Sequence, residues 1–219
     1  MKLSKRLNAI VQLLTKKDNV IVDVGCDHCL TAINALLNGN TKFAYNIDIK
    51  SEPLNKGIEN LKKFHLLNKT KNIVNDGLYK IDIAKKIDYC IISGLGGNTI
   101  VDIINNSTVK NINSYIVVSN NHDEYIRKYI YKYKYKISNE AVIHENKRFY
   151  HLIEFSKNKG ITIKNKNDIL FGPINLKNKD INFVEYLQYT LKKYKNLYKL
   201  SSSSKHKAIV KKIEAIINN

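Results

Sequence analysis

The sequence predicts a doubly wound α/β fold with a helical hairpin appended at its C-terminal end. Three observations carry this. Short runs of β-branched residues recur five times along the first half of the chain. Each run is halted by a loop and followed by a helical stretch. Near the C-terminus, apolar residues repeat at spacings of three and four around a serine-rich break, the pattern of two amphipathic helices.

The elements follow in order. Leu3, Leu7, Ile10, Val11 and Leu14 share one helical face. Lys5, Arg6 and Asn8 break its apolar positions and no small-residue cleavage site follows, so a structural helix is expected rather than a secretion signal. Asn19–Val24 reads as a strand stopped by Gly25, and its continuous apolar character suits a parallel sheet covered on both faces. A helix is expected over 31–37, a strand over Phe43–Asp48 and a helix over 53–67. Ile73-Val74 makes a third short strand ending in Asn75-Asp76-Gly77. Ile87–Ile92 is the fourth strand, halted by Ser93-Gly94-Leu95-Gly96-Gly97. A helix over 99–104 and a strand over 115–118 follow. Parallel strands joined through helices require right-handed crossovers. After a further helix over 123–131, Ile137–His144 and Phe149–Phe155 are expected to pair antiparallel at the sheet edge, across a turn that contains no glycine. A polar linker, Ser156–Lys166, then divides a sheet domain, 1–156, from a tail, 157–219. In the tail Val184, Leu187, Leu191, Tyr194 and Tyr198, then Ile209, Ile213 and Ile216, predict an antiparallel hairpin, with Ser204 expected to cap its second helix.

Composition narrows the function. At 43% hydrophobic residues the chain of 219 can bury a core, and no run approaches the roughly 18 apolar residues that span a bilayer. Three cysteines do not make a disulfide framework, which fits a reducing compartment and places the protein in the cytoplasm. The net charge is +18, and residues 157–219 hold 14 lysines against four acids. That bias suits a phosphate backbone as partner; the competing reading is an AT-rich codon bias that enriches lysine everywhere.

The loops after the strands hold the candidate chemistry. Val22-Asp23-Val24-Gly25-Cys26-Asp27-His28 sits where doubly wound folds bind nucleotides. It lacks two of the three glycines of a dinucleotide fingerprint, and an acid at position 27 would repel a pyrophosphate. It suits instead a ligand bearing an ammonium group, such as S-adenosyl-L-methionine, although a plain tight turn reads as well. Asp48 falls where ribose hydroxyls are accepted, and Asp76 where an adenine amino group is. Singly, each acid is a common cap or turn residue; together with Gly25, Asp27, Asp48 and Asp76 outline an adenosine-shaped pocket. Three glycines among residues 94–97 leave bare backbone for a flat base, or simply a flexible loop. Asn120-Asn121-His122 ends the fifth strand at the same rim. Cys26 and Cys29 have no second pair of ligands, so no metal is expected, and Cys90 is assigned to the core.

These motifs together resemble the TrmK family of bacterial tRNA (adenine-N1)-methyltransferases, which modify adenine 22. The matching stretches are Leu3–Leu7, Asp23–His28, Asn75–Leu78, Ser93–Gly97 and Phe171-Gly172-Pro173, in family order. Two stretches depart from the family pattern: Ser93 and Leu95 stand where Ala and Met are usual, and Asn120-Asn121 stands where Pro-Asn is. The resemblance implies a Rossmann-like class I methyltransferase sheet, a coiled-coil tail that holds tRNA, and S-adenosyl-L-methionine as cofactor. The implied cofactor contacts are Arg6, Asp23, Gly25, Cys26, Asp27, His28, Asp48, Ile49, Asn75, Asp76, Gly77, Gly94 and Leu95. Asp27, Gly94, Gly96, Gly97 and Asn121 are the candidates for the reacting base, with Asp27 open to either role. Rival readings are a methyltransferase for another RNA or a small molecule, and a non-catalytic RNA-binding relative.

Overall fold

The computed structural model describes residues 3–15, 18–83 and 85–218. At its centre is β1 (Asn19–Val24), all six residues of which are buried. It pairs in parallel with β2 (Thr41–Asp48) on one side and β4 (Ile87–Leu95) on the other. β3 (Thr70–Val74) extends the sheet beyond β2, and β5 (Ile112–Ser119) beyond β4. The sheet is seven-stranded with order β3-β2-β1-β4-β5-β7-β6. The hairpin of β6 (Lys136–Glu145) and β7 (Arg148–Ser156) completes it, inserting its second strand antiparallel against β5. The turn between them manages without glycine because Asn146 and Lys147 both take positive φ, 50° and 62°, the mirror-image geometry that matches strand twist.

Alternation along β1 sorts the two layers. Val20, Val22 and Val24 face Ile100 and Ile104 of α4 (Gly97–Asn105) and Ile126 and Ile130 of α5 (Asp123–Lys132). Ile21 faces the other layer: α1 (Lys5–Leu13), α2 (Leu30–Leu37) and α3 (Ser51–Lys63), through Ile10, Ile33 and Leu61. α3 ends earlier than its periodicity suggested, because His65 turns at φ 54° and a 3-10 turn, Leu67–Lys69, leads into β3.

The stretch expected as a polar linker is tied to the sheet. Ile161 exchanges backbone hydrogen bonds of 2.9 and 2.8 Å with Ile137, and Ile163 is buried in the core. α6 (Lys166–Phe171) starts on a capping box between Asn165 and Asp168, and α7 (Pro173–Asn178) follows with proline at its first turn. These short helices are locked by Arg127, which is wholly buried. Its guanidinium bonds Asp123 within α5, Glu140 of β6 at 2.7 Å, and the carbonyl of Ile169 at 3.4 Å. Glu140 in turn accepts from the Ile174 amide at 2.9 Å. A side chain on Gly172 would put its Cβ 2.6 Å from that carboxylate, which accounts for the glycine of Phe171-Gly172-Pro173.

The tail is a hairpin of α8 (Ile181–Ser201) and α9 (Ser204–Asn218). Phe183 and Leu187 anchor α8 against Val142 and Phe171, and Ile213 of α9 joins the same cluster. Lys195 and Glu214 bridge the helices at 2.7 Å. Ser204 is the first residue of α9 rather than its cap; the tight turn is made by Ser202, left-handed, whose amide returns to the Tyr198 carbonyl. No helix among the described residues is long and apolar enough to cross a membrane.

Removing one member of a buried charge network strands the others, at a cost of about 3–5 kcal/mol. Arg127→Ala should therefore destabilise the protein by that order in urea denaturation, with Asp123 and Glu140 left uncompensated.

Candidate active site

The loop after β1 is built by hydrogen bonds to the end of β2. The amides of Gly25 and Cys26 donate to the Ile47 carbonyl at 2.8 and 3.1 Å, and the amide of Asp27 donates to Asp48 Oδ2 at 3.1 Å. Gly25, Asp27 and Cys29 all take positive φ, so the chain coils tightly before α2 begins. A Cβ on Gly25 would meet nothing within 4 Å; the space above it is open. Cys26 and Cys29 place their sulfurs 3.7 Å apart, and Cys29 packs against Gly57. Both belong to the buried core on the α2 side of the sheet.

Asp48 organises the next position. Its Oδ1 accepts from the Lys50 amide at 3.0 Å while Oδ2 holds the Asp27 amide. Beyond it, the Asn75 backbone amide donates to the Asp48 carbonyl at 2.9 Å, and its side-chain amide donates to the carbonyls of Gly77 and Tyr79, both at 3.0 Å. That shapes the turn which presents Asp76. Asp23 lies deepest. Burial pushes its carboxyl up to about 7, partly offset by a hydrogen bond from Thr31 and reinforced by Asp48. Its Oδ2 is buried without a hydrogen-bond partner among the described residues, so a cationic or donor group is wanted there.

Arg6 closes the cleft from α1. Its Nε donates to Glu145 Oε2 at 3.0 Å, and its guanidinium lies 4.3 Å above the Tyr150 ring. Glu145 also takes the Lys5 amide at 2.6 Å, so the start of α1 is pinned to the β6–β7 hairpin.

These residues line one cleft of about 610 Å³, a size in the usual range for small-molecule sites. Every residue expected at the cofactor is on its wall: Arg6, Asp23, Gly25, Cys26, Asp27, His28, Asp48, Ile49, Asn75, Asp76, Gly77, Gly94 and Leu95. Of the residues expected at the reacting base, Asp27 and Gly94 are there; Gly96, Gly97 and Asn121 are not. Gly96 is half-buried and Gly97 buried, and both lie close against the β5–α5 loop. A Cβ on Gly96 would lie 2.9 Å from the Asn121 side chain, and one on Gly97 only 2.0 Å from the His122 carbonyl. Asn121 lines a separate cavity. It is Asn120 that reaches back, donating to the Gly94 carbonyl at 2.7 Å.

The pattern of the family described as tRNA (adenine(22)-N(1))-methyltransferase, TrmK, matches residues 21–219. The chain belongs to the TrmK family. Among its relatives, the tRNA (adenine(22)-N(1))-methyltransferase of Bacillus subtilis is 25% identical, over 97% of this chain and 93% of that one. The structure of TrmK from M. capricolum in complex with S-adenosyl-homocysteine is 32% identical, covering 99% of this chain and 96% of that one, with a TM-score of 0.88. A Rossmann-superfamily protein from Streptococcus agalactiae shares the fold at 24% identity, covering 99% and 98% of the two chains, with a TM-score of 0.89.

Sequence reasoning missed Thr31, Lys50, Thr99 and Ile103 on the cleft wall, and Glu145 and Tyr150 behind Arg6. Thr31 and Ile103 sit in the helices that follow β1 and β4, whereas Lys50 and Thr99 lie within a few residues of a strand end and were open to detection by position. Glu145 and Tyr150 were not, because nothing local ties them to Arg6.

The two glycine environments predict different costs. Gly97→Ala drives a Cβ into backbone and should cost roughly 1–3 kcal/mol or more. Gly25→Ala meets open space and should cost about 1–2 kcal/mol of left-handed strain. Thermal unfolding of the two variants checks the order.

Proposed function

We propose that this TrmK-family chain transfers a methyl group from S-adenosylmethionine to N1 of adenine 22 in tRNA, in the cytoplasm. The observation that carries the reading is the convergence of Asp23, Asp27, Asp48 and Asp76 on one cleft at the strand ends.

The residues present fit the cofactor. Asp23 Oδ2, buried and unpartnered, is an acceptor for an ammonium group. Each Asp48 oxygen takes one backbone amide and keeps lone pairs for ribose hydroxyls. Ile49, 63% exposed beside it, with Leu95 and Ile103 offers apolar faces to adenine, and Asp76 an acceptor for its amino group. Arg6, held by Glu145, is placed for a carboxylate. When bound, S-adenosylmethionine supplies an electrophilic methyl on a sulfonium.

The N1 of adenine already carries a lone pair, so the chain needs no base to create a nucleophile; its task is alignment. The Asp27 side chain is 70% exposed at the cleft and is assigned to the amino group of the target adenine. There a carboxylate balances the positive charge that methylation leaves on the ring. The Gly94 carbonyl, steadied by Asn120, is the second acceptor. Extracting a base from its stack costs a few kcal/mol, which phosphate contacts along the lysine-rich α8–α9 hairpin offset.

Transfer of labelled methyl into total tRNA, protein and metabolite fractions tests the reaction. Label is expected in tRNA alone, and label elsewhere would overturn the substrate. Reversing two exposed lysines of the hairpin, Lys199→Glu with Lys211→Glu, should weaken tRNA binding by about tenfold or more at low salt and leave cofactor binding intact. Deleting the hairpin is a poorer test, since Phe183 and Leu187 are part of the core.

Asp23 adds a pH signature. With its carboxyl raised to about 7 by burial, the empty cleft is protonated there below that pH, and an ammonium partner selects the ionised form. Affinity for S-adenosylhomocysteine should then fall as pH drops from about 8 to 6. Calorimetry with Asp23→Asn should show the slope lost.

A further inference from the structure

A second cavity, of about 770 Å³, opens beside the first. It lies between the β5–α5 loop, the β6–β7 turn and the face of α8. The two cavities share no wall residue among those described. They are separated by two contacts: Arg6 stacked on Tyr150 at 4.3 Å, and Asn120 bonded to the Gly94 carbonyl at 2.7 Å.

Its lining has a definite chemistry. Phe149 is the centre of an aromatic cluster, 5.7 Å from Tyr186 and 5.5 Å from Tyr189 between ring centroids. Tyr189 is 59% exposed although it sits in that cluster, which leaves a ring surface for a further planar group. At the mouth stand Lys147, Arg148 and Lys193, all exposed. The acids of the cavity do not outweigh them: Asp123 is paired with Arg127, which leaves Glu124 against three cations.

The floor is polar and incomplete. His151 is 5% exposed and lines the cavity. Its Nδ1 lies 3.5 Å from Asp123 Oδ2 yet makes no hydrogen bond among the described residues. Burial holds the imidazole below its ordinary pKa despite Asp123, with Arg127 adding to the effect. With Nδ1 buried against Asp123, Nε2 is the ring nitrogen left for a base edge. Tyr186 packs edge-on against the imidazole at 4.6 Å. Stacking rings, a buried hydrogen-bonding floor and cations at the rim are together the features that bind an unstacked nucleotide.

We propose that this cavity binds a second nucleotide of the tRNA, distinct from the adenine that is methylated. Its base stacks on Tyr189 and Phe149 with its edge at His151, and its phosphates meet Lys147, Arg148 and Lys193. The proposal rests on the tRNA-methylating reading of the first cleft. Holding a neighbouring nucleotide out of its stack lets the tail share the work of presenting the target.

Full-length Tyr189→Ala and Tyr189→Phe proteins test it, by methylation kinetics with tRNA and calorimetry with S-adenosylhomocysteine. Losing one stacked base should raise KM for tRNA roughly 5- to 100-fold in Tyr189→Ala, with cofactor affinity unchanged. Tyr189→Phe, which keeps the ring, should stay close to the parent. Lys193→Ala should lower the salt dependence of tRNA binding by about one phosphate contact. An unchanged KM in Tyr189→Ala, in a protein that methylates tRNA, overturns the second site alone. A parent protein that binds the cofactor product but methylates no tRNA overturns the underlying function, and the site with it. AMP, GMP, CMP and UMP separate the source of the nucleotide: saturable binding of one of them that Tyr189→Ala abolishes, with KM for tRNA untouched, would assign the cavity to a free nucleotide and overturn its role in RNA binding.

Discussion

The parallel pairing of β1 with both β2 and β4 is the constraint on which the rest of this molecule depends. Parallel neighbours end on the same side, so the loops after β1, β2, β3 and β4 all emerge at one rim. The rim then holds itself together. The Ile47 carbonyl and the Asp48 carboxylate bind the amides of the β1–α2 loop, so the strand that brings Asp48 to the cleft also shapes the loop beside it. A change at Asp48 is therefore felt in the backbone at Asp27 as well as in the cleft wall.

Two buried charges are treated in opposite ways. Arg127 is surrounded by Asp123, Glu140 and a carbonyl, and joins α5, β6 and the short helices into one unit. Such a network organises structure, although Arg127 Nη2 is itself buried without a hydrogen-bond partner among the described residues. Asp23 has a hydrogen bond from the Thr31 hydroxyl, and its Oδ2 is without a partner among the described residues. An acid kept in that state costs stability, and the cost is recovered when a cation arrives. The difference is one of charge pairing: Arg127 has two acids bonded to it, whereas Asp23 lines the cleft with no ion-pair partner among the described residues.

The C-terminal hairpin is both scaffold and surface. Phe183 and Leu187 complete a core with Val142 and Phe171, while the outward face carries the lysines and closes the second cavity. Because α8 is rooted in the sheet domain, an RNA held along the hairpin is held at a set position relative to the cleft. The pinning of α1 to the β6–β7 hairpin through Glu145 works in the same direction, bringing Arg6 and Tyr150 into the partition between the two cavities.

Much of this was legible in the sequence, because the signals are local. β-branched runs, the glycine after Val24 and the acids closing successive strands are patterns of adjacent residues, and they determined the sheet class, the β1–α2 loop and the cleft wall. Even the antiparallel hairpin was readable, although its turn depends on Asn146 and Lys147 taking left-handed backbone. What the chain order does not contain is which distant surfaces meet. The glycines of 94–97 read as bare backbone for a base; their close approach to the β5–α5 loop, and the bond from Asn120 rather than Asn121 to the Gly94 carbonyl, come from packing. The linker read as a polar spacer between two parts, whereas Ile161 pairs with Ile137 and Ile163 is buried in the core. Arg6, Glu145 and Tyr150, or Asp123, His151 and Tyr189, are brought together only by tertiary packing. Periodicity and turn chemistry act over a few residues and are written along the chain; the burial of a charge and the adjacency of two cavities exist only once the layers have closed.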